Sequence, residues 1–129
     1  MQQAAKPPHA GCATMRCASL AGLEGLLARR GAALAPVCAA VGVEPRLLSH
    51  PEARLPVRQF VALLEEAARA SGDDAIGLKL GHCQGLDSFG PLSEAALQSP
   101  DLASAVANVS RYFFVHQEGA QLELRLDGR

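Results

Sequence analysis

The stretch Ser71-Gly-Asp-Asp-Ala-Ile-Gly-Leu-Lys-Leu-Gly81 sets two adjacent carboxylates among three glycines. That composition admits three roles: a glycine-rich loop around phosphate, an acidic cation site, or a junction between two helices. A phosphate loop needs a Lys followed by Ser or Thr directly after its last glycine, whereas Gly81 is followed by His82. Adjacent aspartates at a helix start point in different directions, which makes them a poor pair of ligands for one cation. Either can instead accept backbone N–H bonds from the first helical turn. The stretch therefore reads as a helix junction, with Asp73 or Asp74 as the cap and not a metal ligand.

The remaining reactive side chains form no constellation. His9, His50, His82 and His116 are scattered singly and read as surface or loop residues. Cys12, Cys17, Cys38 and Cys83 contain no C-x-x-C pair, and His82-Cys83 is their one tight His/Cys neighbour pair. Reduced structural thiols fit this pattern better than a zinc site. The chain has no nucleophile elbow, H-E-x-x-H motif or dinucleotide fingerprint. It is read as a non-enzyme: no catalytic, metal-ligating, cofactor-binding or DNA-binding residue is assigned, no cofactor is expected, and the ligand contacts are left open.

The elements that would position any site are mostly helical. With 129 residues, the chain has the length of one domain. It has no Trp, one Tyr and four Phe, so its core must be built from Leu, Val and Ala, which favours helices. A net charge of -1 provides no electrostatic footprint for nucleic acid. The longest uncharged run, Gly31–Val43, is interrupted by Pro36 and falls far short of the roughly 20 residues of a membrane helix. No signal peptide is seen at the N-terminus, and the expected location is the cytoplasm.

Residues 1–17 lack periodicity and are read as a flexible tail, with Met1 and Met15 both candidate starts; residues 18–129 form the domain. A helical stripe begins with Leu20, Leu23, Leu26 and Leu27 and ends at Gly31. A short helix over Pro36–Val41 and a turn from Pro45 carrying Leu47 and Leu48 follow. Pro56 then opens the clearest helix, with Phe60, Leu63, Leu64, Ala67 and Ala68 on one stripe and Gly72 as its stop. Beyond the Asp73-Asp74 junction, Ile76, Leu78 and Leu80 supply apolar contacts, and Gly77 and Gly81 are expected to admit a close neighbour. Phe89-Gly-Pro91 opens another short helix. Ser99-Pro-Asp101 starts the last one, with Ser99 as its expected cap. After Gly119, Leu122, Leu124 and Leu126 alternate with charged residues, the pattern of a half-buried strand, and Asp127-Gly128 is a hairpin signal. Strand is expected only over residues 122–126. The fold class is mainly α: the multi-helix N-terminal portion of an α+β domain, with one C-terminal β-strand.

Residues 34–48 also approximate a helix-turn-helix with glycine in the turn. A DNA reader needs a polar, basic second helix, and Glu44-Pro-Arg-Leu-Leu-Ser contributes one Arg and an acid. A small DNA-binding module is thus the alternative reading, beside a helical interaction domain with no ligand.

The order and spacing of these segments carry a resemblance. They are Leu26-Leu-Ala-Arg-Arg-Gly31, Val41-Gly-Val43, Leu47-Leu48, Arg54-Leu-Pro56, the 60–68 helix, Gly72–Gly81, Phe89-Gly-Pro-Leu92, Ala96-Leu97, Ser99-Pro-Asp-Leu102 and Tyr112. From about Leu23 to Tyr112 the chain resembles the N-terminal effector domain of one branch of AraC-type transcriptional regulators, the arabinose-binding-domain-like branch. The resemblance implies a helical portion leading into β structure that senses a small-molecule effector, with a separate C-terminal pair of helix-turn-helix motifs for DNA. It also implies that most of the β portion and the DNA-binding domain fall outside this sequence, so that the chain is an incomplete effector domain. On that reading it does not bind DNA directly, lacks tight effector binding by itself and has no membrane contact. An uncovered apolar face near Tyr112–Phe114 and 122–126, with an unpaired strand edge, would invite self-association.

Overall fold

A computed structural model describes residues 13–118 together with 122, 123 and 125. Its centre is the helix that the sequence marks most strongly, α3 (Val57–Ser71). Phe60, Leu63 and Ala67, spaced by three and four residues, are buried on one stripe. The helix stops where a residue must enter the left-handed region: Gly72 has φ +64. This lets the Gly72 and Asp73 amides turn back onto the carbonyls of Arg69 and Ala68, at 3.4 and 3.1 Å.

Four elements close over that stripe. They are α1 (Leu23–Ala28), α2 (Leu34–Ala40), β2 (Arg54–Pro56) and α4 (Ile76–Cys83). Leu23 and Leu27 from α1, Val37 and Cys38 from α2, Leu55 from β2, and Ile76 and Leu80 from α4 form one buried cluster with α3. On α4, residues four apart share a face, so Ile76 and Leu80 point inward while Leu78 is 80% exposed. The expected inward contact of Leu78 is corrected on that ground. A Cβ built on Gly77 or Gly81 would meet nothing within 4 Å, so neither glycine is required by a close neighbour.

The described β structure lies elsewhere than expected. β1 (Thr14–Arg16) pairs antiparallel with β2, setting Met15 opposite Leu55 and Arg16 opposite Arg54. Met15 also bridges to Gln117 on its other side. Cys17, expected in a free tail, is 1% exposed in the core and begins a 3-10 turn over Cys17–Leu20. The ordered part of the domain thus includes at least residues 14–17. In the 122–126 segment, the described residues Leu122, Glu123 and Arg125 are not in a strand. Leu124 and Leu126, with the Asp127-Gly128 turn, lie outside the described residues.

The last two helices, α5 (Pro91–Leu97) and α6 (Leu102–His116), pack mainly on each other. Asp101, not Ser99, caps α6: its side chain accepts the Ser104 amide at 2.7 Å. Ser99 instead donates to the Ala95 carbonyl and accepts from Asn108. The helix keeps apolar side chains on several sides, with Leu102, Tyr112, Phe114 and Val115 all exposed. Mainly α is therefore the class of the fold, with a small β part. Among the described residues no helix is long and apolar enough to cross a membrane.

Because Leu63 is fully buried at the centre of the cluster, Leu63→Ala should destabilise the chain by about 2–5 kcal/mol. Leu78→Ala, on the open side of α4, should change stability by no more than about 0.5 kcal/mol. Urea denaturation of the two variants, compared by their midpoints at equal slope, checks the assignment of faces.

Candidate functional site

Neither Asp73 nor Asp74 is the N-cap of α4, which corrects the expected cap: Ala75 stands there, with no side-chain cap bond, and Asp73 acts from two residues upstream. The Asp73 carboxylate accepts the Ala75 amide at 3.1 Å and pairs with Lys79 of α4 and Arg30 of the α1–α2 loop. The bond from Lys79, chiefly, holds its pKa below the usual carboxylate value. Asp74 is exposed. Among the described residues no three His, Cys, Asp or Glu side chains converge as a metal site. His50, His82 and Cys83 are exposed, and burial raises the pKa of the Cys17 and Cys38 thiols. His9 and Cys12 lie outside the described residues. An open groove between α1 and α4 is lined by Leu26, Arg29, Leu78, Lys79, His82 and Cys83 together with the two glycines. The polar side chains that α4 contributes to it, Lys79, His82 and Cys83, are all exposed.

The helix-turn-helix reading meets a specific obstacle. α2 is followed over Pro45–Ser49 by a five-residue 3-10 turn, and a recognition helix would have to lie there. The apolar residues of 34–48 serve the core: Val37, Cys38 and Val43 are buried within it, and Leu47 and Leu48 pack against it.

The most constrained polar group is one that sequence reasoning did not single out. Arg16, at the end of β1, is 5% exposed, and His116, at the end of α6, is 4% exposed. His116 had been expected at the surface; the fold buries it because the last turn of α6 meets β1 across 100 residues of sequence. The Arg16 guanidinium faces His116 Nδ1 at 2.8 Å, donates to the Ser88 carbonyl at 3.4 Å and pairs with Glu52. An arginine has only donors, so Nδ1 must be the acceptor and the neutral ring carries its proton on Nε2. Phe89 and Phe113 flank the imidazole, with centroids at 5.1 and 5.9 Å.

Gly90 explains why this pocket closes. Its φ is +58, and a Cβ there would lie 3.1 Å from both terminal nitrogens of Arg16. A side chain is thus opposed both by backbone strain and by contact with the guanidinium. The single legible signal for the pocket was the Phe89-Gly-Pro91 turn; nothing in sequence spacing joins Arg16 to His116.

Burial first, and the Arg16 and Arg54 charges next, hold His116 below the ordinary imidazole value of 6.5, with Glu52 opposing them. The cluster is a structural hub. It presents no nucleophile and no convergent ligand set.

The folded unit is a small helical domain with a minor sheet, and its polar hub joins the two ends of the described chain. Residues 31–129 match the family described as the arabinose-binding domain of AraC transcription regulators, N-terminal. The chain belongs to that family and is an N-terminal regulatory domain of the AraC type. It is 32% identical over 102 residues to the ornithine utilization regulator of Pseudomonas aeruginosa, covering 79% of this chain and 30% of that protein. It is 27% identical over 108 residues to the HTH-type transcriptional regulator VirS of Mycobacterium tuberculosis, covering 84% of this chain and 32% of that protein. The chain thus spans about a third of the length of these curated relatives. The family and the relatives are transcriptional regulators rather than enzymes.

The lowered pKa of His116 gives the stability a defined pH dependence. The unfolded chain takes up the proton at about 6.5, before the folded chain does. Stability from this residue is therefore complete above pH 6.5 and declines as pH falls from 6.5 to the folded-state value. Chemical denaturation between pH 7.5 and 5.5 should show this decline in the native chain. His116→Gln, which keeps an acceptor for Arg16, should reduce it.

Proposed function

We propose that this chain supplies the helical portion of an effector-sensing domain, through which a small molecule governs transcription. The observation that carries the reading is the family match over residues 31–129, most of the described fold. Consistent with it, α6 retains exposed apolar side chains at Leu102, Tyr112, Phe114 and Val115. Such a surface suits a helix that packs on further structure or on another chain. The described domain is a scaffold, and the effector contacts belong to structure packed on α6 and β1.

The effector is a small molecule, and the name of the Pseudomonas relative makes basic amino acids such as ornithine the first probes. The chain acts in the cytoplasm, contacts DNA only through a covalently linked or partner DNA-binding domain, and has neither a cofactor nor catalytic chemistry. A ligand-free helical interaction domain is the competing reading. An ornithine- or arabinose-dependent change in transcription, seen in cells carrying the gene and absent in cells lacking it, would favour effector sensing.

Two measurements on the purified chain test the rest. Footprinting on its upstream DNA at physiological salt should show no protected operator. A net charge of -1 and the 3-10 turn at Pro45–Ser49 both argue against direct readout. A defined protected sequence would instead establish a DNA-reading module. Light scattering should show concentration-dependent self-association, reduced by the paired change Phe114→Ser and Val115→Ser on exposed positions of α6. A strictly monomeric native chain would remove the proposed role of that surface.

A further inference from the structure

The segment leaving α6 is fastened to β1 by a compact set of contacts. Met15 bridges antiparallel to Gln117, and the Glu118 amide reaches the Thr14 carbonyl at 3.4 Å. The Glu118 carboxylate accepts from the Thr14 amide at 3.2 Å and from its hydroxyl at 3.0 Å. Arg54 of β2 donates to the Val115 carbonyl at 3.1 Å. The Thr14–Glu118 bonds are partly buried and the Arg54–Val115 bond is exposed. The one deeply buried tie between this segment and β1 is the contact of Arg16 with His116 Nδ1 at 2.8 Å.

That tie cannot survive proton uptake in its present geometry. A protonated imidazole is a donor at both nitrogens, and an arginine stays charged and donates only. Two donors would then oppose each other at 2.8 Å, both carrying positive charge and shielded from water. The charged groups facing His116 are Arg16 from β1, Arg54 from β2 and Glu52 from the turn before β2. The 86–89 turn and α6 itself present the rings of Phe89 and Phe113. Two cations thus stand against one carboxylate, and the Glu52 side chain is 80% exposed, where water screens its compensating charge.

We propose that Arg16 and His116 form a proton-sensitive latch: neutral His116 holds the exit of α6 on the edge of β1, and its protonation frees residues 115–118 while the α1–α4 core stays folded. The latch lies at the end of the helical scaffold and holds whether or not the chain itself binds an effector. Arg16 acts here as a positioning residue. Acidification would therefore change how the helical portion is joined to whatever follows it, without a ligand.

The test couples two measurements on the 129-residue chain. NMR titration of the His116 ring gives its folded-state pKa and its tautomer, which at neutral pH should carry hydrogen on Nε2. Amide exchange, expressed as protection factors, is followed at Gln117 and Glu118 and at α3 amides over the same pH range. The latch requires Gln117 and Glu118 to be less protected than α3 at every pH, because they open without global unfolding. Their protection should fall about tenfold per pH unit below 6.5 and level off at the measured pKa of His116, since one proton is linked to the opening. The total loss should match ten raised to the difference between 6.5 and that pKa. His116→Gln should hold protection at residues 117 and 118 level over this range. A folded-state pKa at or above 6.5 would overturn the proposal. So would protection at 117 and 118 that tracks α3 throughout, or a fall unrelated to the titration. These outcomes are read from the native chain alone if the variant fails to fold.

Discussion

A guanidinium taken out of water must be given acceptors, because it cannot discard its charge. Arg16 imposes that requirement on three distant segments of the described chain. It draws in the Ser88 carbonyl from the turn before α5, Glu52 from the approach to β2, and the imidazole at the end of α6. These three groups come from three separate parts of the sequence, so satisfying one side chain of β1 sets how β1, the approach to β2, the 86–89 turn and α6 meet. The requirement also explains Gly90, which leaves room for the two terminal nitrogens. Among the described residues the Arg16 Nε–H has no acceptor, so even this hub is not fully satisfied. A buried ion pair is weak evidence of stability for its own sake; here its clearer consequence is to define one arrangement of elements.

The apolar core and this polar hub divide the work. The cluster around Leu27, Val37, Leu63, Ile76 and Leu80 supplies non-directional burial, which would tolerate several placements of the chain ends. The hub supplies direction. The α5–α6 pair packs chiefly on itself, and its last turn is tied by hydrogen bonds to Arg16 of β1 and Arg54 of β2.

The match over residues 31–129 bears on how the opening glycine-rich stretch should be understood. Its regularity arises from two helix ends set close together: Gly72 takes the left-handed conformation that stops α3, and Asp73 holds the start of α4 through the Ala75 amide and Lys79. The spacing of glycines and aspartates in that stretch is thus accounted for by the geometry of a junction. The residues around Val37 and Leu47 teach a similar lesson. Their spacing suggested a DNA-reading pair, yet burial of the apolar members accounts for it.

By itself the sequence determined most of the helices, the stripe of α3 and the family. Phe60, Leu63 and Ala67 recur at the period of one helix, and Gly72 ends it, both through interactions within a few residues. It misplaced the β structure because a three-residue strand such as Thr14–Arg16 is defined by its partner, not by its own pattern. It missed the face of Leu78 because the apolar residues of α4 do not reveal which side meets α3. Only the tertiary structure brought Arg16 and His116 together, gave the imidazole its tautomer and lowered its pKa. Helical periodicity is local and survives in the order of residues. A buried charge and its acceptors meet only after the chain has closed a loop of 100 residues.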